Sequence, residues 1–249
     1  MCNRYRPASV ARVRDVFGFT YIESGPPLEE RYRTSGIGPL QAGPFIRKGG
    51  GLMVGQWGLT PDGSATLKPM NKRTRRPMST NNARWGKDEP EAWSFKPSWR
   101  RGQRCLVPVE DFDEPYWGTR KNIWWRFRRA DGQPLMLAGL WNEWTDPETG
   151  ELLPSFTMLT INCNAHPVLR LMHRPDVDAA GVPLPDEQQD KRTVVPLERS
   201  AWQAWLEGSP ADAAACIQLP AADLYAHGAA DPAKQVLLPI APVAASAVR

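Results

Sequence analysis

Apolar residues recur at Val10, Val13, Val16 and Phe17, with Ser9 just before them. That 3–4 residue spacing, with a hydroxyl able to accept from the first free backbone N–H groups, predicts a short helix from Ser9 to Phe17. Further along, the apolar runs are short and suit strands: Leu52 to Leu59, Cys105 to Val109, Ile123 to Arg128, Leu135 to Trp141 and Phe156 to Ile161. The turn pair Asp131-Gly132 separates the third run from the fourth and predicts a hairpin. Trp202, Trp205 and Leu206 share one side of a helix expected from about Glu198, and the Ala-rich stretch after Gly208 adds one more. Residues 23–50, rich in Gly, Pro and charge, are expected mainly in irregular structure, and Pro175 to Asp190 in a surface loop. Strands and helices do not alternate regularly, so the pattern favours an α+β fold over a doubly wound parallel sheet.

Composition narrows the class without naming it. The 249 residues are 41% hydrophobic and 23% charged, which suits a globular chain able to bury a large core. No apolar run approaches the 18 residues of a membrane span, and the start lacks the basic-then-apolar order of a signal peptide. A cytoplasmic or nucleoid location is expected. Cys2, Cys105, Cys163 and Cys216 show no paired ligand spacing, and there are three His, so neither metal nor organic cofactor is expected.

The formal charge of +4 permits a polyanionic partner. Its source is local. Between Lys68 and Arg104 stand eleven Lys and Arg, among them Lys72, Arg73, Arg75, Arg76, Arg84 and Lys87, against Asp88, Glu89 and Glu91. Trp85, Trp93, Phe95 and Trp99 are interleaved with them, as a single-strand nucleic-acid surface requires; a solvated basic loop is the plainer alternative.

The chemistry concentrates at the start, Met1-Cys2-Asn3-Arg4. An initiator Met before a small residue is normally trimmed, which leaves Cys2 with both an α-amine and a thiol. Their ordinary pKa values, about 8 and about 8.5, keep both reactive near neutrality. Such a 1,2-aminothiol condenses with an aldehyde to an imine and closes through sulfur to a thiazolidine. It also serves as an N-terminal nucleophile in acyl transfer.

Four motifs then occur in a fixed order: Met1-Cys2-Asn3-Arg4; Trp57-Gly58-Leu59 with Asn82-Ala83-Arg84; Arg104-Cys105-Leu106-Val107-Pro108 with Glu114; and Thr160 to His173, continued by Lys191 to Leu197 and Trp202 to Leu206. In this the chain resembles the SOS-response-associated peptidase (SRAP) family over roughly residues 1–207. The resemblance implies a single domain whose curved mixed and antiparallel sheets form a barrel-like core with peripheral helices. It implies single-stranded DNA with abasic sites as partner, a covalent link to them, removal of the residue before Cys2, and in some members lyase activity. It makes Cys2 the nucleophile, with Asn82, Glu114 and His173 completing the catalytic set. Arg4, Arg84 and Arg192 become phosphate contacts, and Trp57 is either a DNA contact or support for the pocket floor. The insert between His173 and Lys191 departs from the family pattern and is expected to reshape one rim of the DNA groove.

Residues 208–238 are expected as a helical or irregular extension packed on the domain, and 239–249 as a flexible tail. With no dimerisation segment evident, a monomer is expected. A thiol peptidase acting on other proteins through Cys2, and a non-covalent single-strand binding module, stay open as alternatives.

Overall fold

The computed structural model describes residues 2–18, 27, 30–71, 73–119 and 121–240. In chain order the elements are β1 (Tyr5–Pro7), α1 (Val10–Phe17), β2 (Ala42–Arg47), β3 (Leu52–Trp57), β4 (Asn82–Arg84), α2 (Lys96–Arg100) and β5 (Arg104–Tyr116). Then follow β6 (Ile123–Arg129), β7 (Leu135–Thr145), β8 (Leu152–Asn162), β9 (Arg192–Val194), α3 (Trp202–Glu207), α4 (Pro210–Ala215) and β10 (Tyr225–Ala229). The helix expected at Ser9 to Phe17 is α1, with Ser9 Oγ accepting from the backbone of Arg12.

Five strands close on themselves. β2 pairs antiparallel with β3, β3 parallel with β8, β8 antiparallel with β7, β7 antiparallel with β5, and β5 antiparallel with β2. The barrel therefore has no open edge, and its strands bring Phe45, Trp57, Leu137 and Phe156 to one face and Ile46 and Leu106 to the other, all fully buried. Each such side chain contributes roughly 1.5–3 kcal/mol by leaving water. β4 and β9 extend the sheet along β8, and β10 adds to β6. Short helices lie outside, so the fold is a single α+β domain, as the strand pattern and the resemblance implied.

Two expectations are corrected. The Asp131-Gly132 turn is present, with Gly132 at φ +74° and Gln133 N donating to Asp131 Oδ1. The strands around it do not pair with each other. β6 lies against residues 112–116 of β5 and β7 against residues 104–109, so the two follow one another along a single partner. Second, residues 42–47, within the stretch expected to be irregular, form the barrel strand β2. Gly43 and Pro44 disguise it. A Cβ at Gly43 would collide with the Tyr5 hydroxyl, so the glycine is there for a close approach inside a strand.

The run Glu110-Asp111-Phe112-Asp113-Glu114 is not a surface stretch. It lies within the 13-residue strand β5, with Asp111, Asp113 and Glu114 buried. Arg126 of β6 grips Asp113 through two hydrogen bonds of 2.8 and 3.0 Å, and Arg6 of β1 donates to Asp111. Buried carboxylates survive when they are paired in this way.

The segment 208–238 holds α4 and β10 and joins the sheet through β10. The expectation for the tail falls largely outside the described residues, since 241–249 are not among them. Among the described residues no helix is long and apolar enough to cross a membrane.

Candidate active site

The start of the chain is threaded into the fold by β1. Tyr5 registers with Phe112 and Arg6 with Asp111 on β5, and Asp113 N donates to Arg4 O. Continuing that antiparallel register carries Asn3 and Cys2 alongside the Glu114 end of β5. Cys2 is fully buried and its Sγ lies 3.5 Å from the carbonyl of Arg4. Two amides fasten it from the other side. Asn82 Nδ2 donates to Cys2 O at 2.6 Å, and Asn81 Nδ2 donates to the same oxygen at 3.2 Å. Both asparagines are fixed where β4 begins its parallel pairing with β8. The acceptor Oδ1 of Asn82 is buried with no hydrogen-bond partner among the described residues, an acceptor close to Cys2.

Glu114 is buried beneath this segment, with Oε2 3.1 Å from His173 Nε2. His173 arrives on a short loop rather than on a strand. Its N–H donates to Pro115 O at 2.6 Å, and its backbone takes φ +65°. For a residue with a Cβ that left-handed conformation costs about 1–3 kcal/mol and must be held by its surroundings. Lys191 holds it. Its buried ammonium donates to the carbonyls of His173 at 3.2 Å and Arg174 at 3.0 Å.

Electrostatics separate the two reactive groups. Burial pushes the Cys2 thiol well above its ordinary value, and the neighbouring Glu114 pushes it further. The sulfur therefore rests protonated. Burial also works against ionisation of Glu114, but interaction with His173 and the chain's amino terminus outweighs it and holds the carboxyl below its ordinary value. A resting thiol faces an ionised carboxylate able to receive its proton. Burial likewise lowers the Lys191 ammonium.

Of the residues singled out in the sequence, Cys2, Asn82, Glu114 and His173 converge. Arg4 and Arg84 flank them and keep exposed guanidinium groups, 51% and 44% exposed, paired with Asp113 at 3.4 Å and Asp190 at 2.8 Å. Arg192 does not join them. It is 7% exposed and engaged by Glu91, Asp190 and the carbonyl of Trp85, which encloses it at the sheet edge. Of the two places expected for Trp57, the core is the one it occupies. It is fully buried, meets Tyr5 edge-to-face at 4.9 Å, and donates from Nε1 to Asn81 O at 2.8 Å. It braces the asparagine pair and offers no face to a base.

Sequence reasoning missed Asn81 and Lys191. The neighbouring Asn82 and Arg192 fitted the family motifs, and nothing in the local pattern separates a side chain from its neighbour when the strand register is unknown.

The basic stretch divides as well. Trp99 and Phe95 are buried and Trp85 packs edge-on to Trp99 at 4.8 Å, which leaves Trp93 as the openly exposed ring of the four. Lys96, Arg100 and Arg101 are paired with Glu89 or Asp62, and Arg104 is buried. Lys68, Arg73, Arg75, Arg76 and Lys87 are exposed and have no ion-pair partner among the described residues. Three of them sit on a turn whose shape is set by Asn71, which accepts from the backbone of Arg73 and of Thr74 at 2.9 Å. This turn lies between β3 and β4, on the connection that leads into the asparagine pair.

The fold and site together are those of a closed five-strand barrel that buries Cys2 beside a Glu–His pair. The profile of the SOS response associated peptidase (SRAP) family matches residues 1–230, and the chain belongs to that family. Among solved structures it is similar to a protein from Bordetella bronchiseptica, at 28% identity and a TM-score of 0.74, over 92% of this chain and all of that one. A Bacteroides thetaiotaomicron protein is 19% identical with a TM-score of 0.68, over 92% of this chain and 91% of its own. A phage-related Bordetella bronchiseptica protein is 18% identical with a TM-score of 0.55, over 91% of this chain and 92% of its own. At those last two identities the likeness shows the fold alone. No curated protein matches the chain.

Proposed function

We propose that this protein, once Met1 is removed, captures abasic sites in single-stranded DNA as a covalent thiazolidine on Cys2. The observation that carries the reading is the meeting of a buried Cys2 with Asn82 and with the Glu114–His173 pair.

The steps balance as follows. His173 gives a proton to the ring oxygen and takes one back from the C1′ hydroxyl as the deoxyribose opens to its aldehyde. The amine of Cys2 adds to C1′, and the carbinolamine, its hydroxyl protonated by His173, loses water to give an iminium; the proton that Glu114 later takes from the thiol returns to His173. Ionised Glu114 stabilises that cation and takes the thiol proton as Sγ bonds to C1′, the electron pair of the C=N bond returning to nitrogen. Aminothiol and aldehyde thus become thiazolidine and water. Ring closure is intramolecular, so it outruns external thiols. Asn82 holds Cys2 through its carbonyl, and its Oδ1 suits an N–H of the amine or a sugar hydroxyl. Arg4, Arg84 and the Asn71 turn supply sequence-independent phosphate contacts, as a strand with no base at the reacting position requires. Removal of Met1 by the same residues accords with the peptidase name of the family.

Intact-mass measurement of the protein, with and without an oligonucleotide carrying one abasic site, tests the reading. Expected are loss of Met1 and a one-to-one adduct short of one water. An adduct formed equally well by Cys2→Ala, or none by the wild type, overturns it.

A further inference from the structure

Beside His173 lies a cavity of about 410 Å³, within the size range of small-ligand sites and unused by the chemistry above. Tyr116 and Trp117 line one side, and Leu171, Pro175, Pro183 and Leu184 line another. The last three belong to the insert that departs from the family pattern. We propose that this cavity holds the nucleobase next to the abasic nucleotide in the same strand. The inference rests on the function proposed above.

Three features favour that occupant. His173 lines the cavity and touches Glu114, so the space adjoins the reacting sugar without overlapping it. Trp117 is 39% exposed, so part of its indole is open to solvent. Gly118 helps to present it: a Cβ there would collide with the ring of Tyr116, and without one the chain folds closely over that ring after β5 ends. Finally, the exposed Arg174 guanidinium stands 5.9 Å from the Trp117 ring centroid, at the outer limit of cation–π attraction. Two stacking steps of about 3.4 Å need only slightly more. An outward shift of about an ångström by Arg174 therefore lets a base lie between indole and guanidinium.

The polar groups around the cavity are largely committed. Arg170 pairs with Asp186 at 3.2 Å, Gln189 Nε2 donates to Leu184 O at 2.7 Å, and Asn164 accepts from Lys191 N at 3.0 Å. Few edges remain to read a base by hydrogen bonds. The site selects for a flat apolar face, and purines over pyrimidines by stacking area.

The test compares adduct formation on three single-stranded oligonucleotides: an abasic site between adenines, and the same site with the 5′ or the 3′ neighbour replaced by a baseless spacer. For the wild type, removal of one of the two neighbours slows capture about tenfold, the worth of one stacked base. Trp117→Ala reacts with all three strands at the slower rate and reaches the same final yield, whereas Trp117→Phe keeps the discrimination. A wild type indifferent to both neighbours, or a Trp117→Ala protein that still discriminates fully, overturns the proposal. Absence of adduct on every strand removes the underlying reading instead, and this inference with it.

Discussion

Nε2 of His173 lies 3.1 Å from Oε2 of Glu114, one group on a strained loop and the other on a barrel strand. The barrel fixes the carboxylate and the loop delivers the imidazole, so the pair survives only while both supports do. One support is the backbone bond from His173 N to Pro115 O, the residue following Glu114. The other is Lys191.

Glu114→Gln separates charge from shape. The amide keeps the volume and a polar contact to His173 but cannot take the thiol proton. Adduct formation is expected to slow by on the order of 10²-fold or more, since general-base contributions are of that size. Stability carries a second signature. The folded-state carboxyl lies below its ordinary value, so its contribution is fully present above the ordinary carboxylate range and is lost as pH falls through the folded value. Thermal unfolding of the wild type should decline more steeply on acidification than that of Glu114→Gln. Parallel curves would deny Glu114 this role.

Lys191→Met keeps the stem and removes the ammonium, leaving the carbonyls of His173 and Arg174 without their donor. Release of the left-handed His173 is expected to slow adduct formation about tenfold, with binding of intact single strands unchanged. Lys191→Arg should restore part of the rate. Rate measurements beside a binding isotherm distinguish this from general unfolding.

Trp57→Phe tests the brace rather than a DNA contact. Loss of Nε1 removes one of two donors to the buried carbonyl of Asn81, the backbone N–H of Met158 at 3.1 Å being the other, at a cost of about 0.5–1.5 kcal/mol. Denaturant unfolding should show that loss. The salt dependence of DNA binding should not change, because the ring touches no solvent.

Much of this architecture was legible beforehand because it rests on local signals. Ser9 with the valine spacing gave α1, and the apolar runs marked where most of the barrel strands lie. What sequence hides is pairing and burial. An acidic run reads as surface, yet Glu110 to Glu114 is a barrel strand because Arg6 and Arg126, distant in sequence, neutralise it. The Asp131-Gly132 turn was readable, but not that both strands around it would take β5 as partner. At the site, the family motifs named Cys2, Asn82, Glu114 and His173. They could not decide between Lys191 and Arg192, because which of two adjacent buried side chains reaches the His173 loop depends on how this segment meets β8.

That last ambiguity gives the sharpest contrast among the arginines. Arg4 and Arg84 are half exposed and flank Cys2 and Asn82, whereas Arg192 is enclosed by Glu91, Asp190 and Trp85. Arg4→Ala and Arg84→Ala should each weaken binding to intact single-stranded DNA of any sequence. Each should also reduce the slope of log K against log salt by about 0.7, the value of one phosphate contact on a single strand. Arg192→Ala should leave that slope unchanged and instead lower the unfolding midpoint, since it removes the ion pair to Glu91 and the donor to the Trp85 carbonyl at the edge of the sheet. Binding titrations between 50 and 200 mM salt, roughly the range over which such contacts are read, check all three together. A slope that falls for Arg192→Ala and not for Arg4→Ala would reverse the assignment of buried and phosphate-facing arginines.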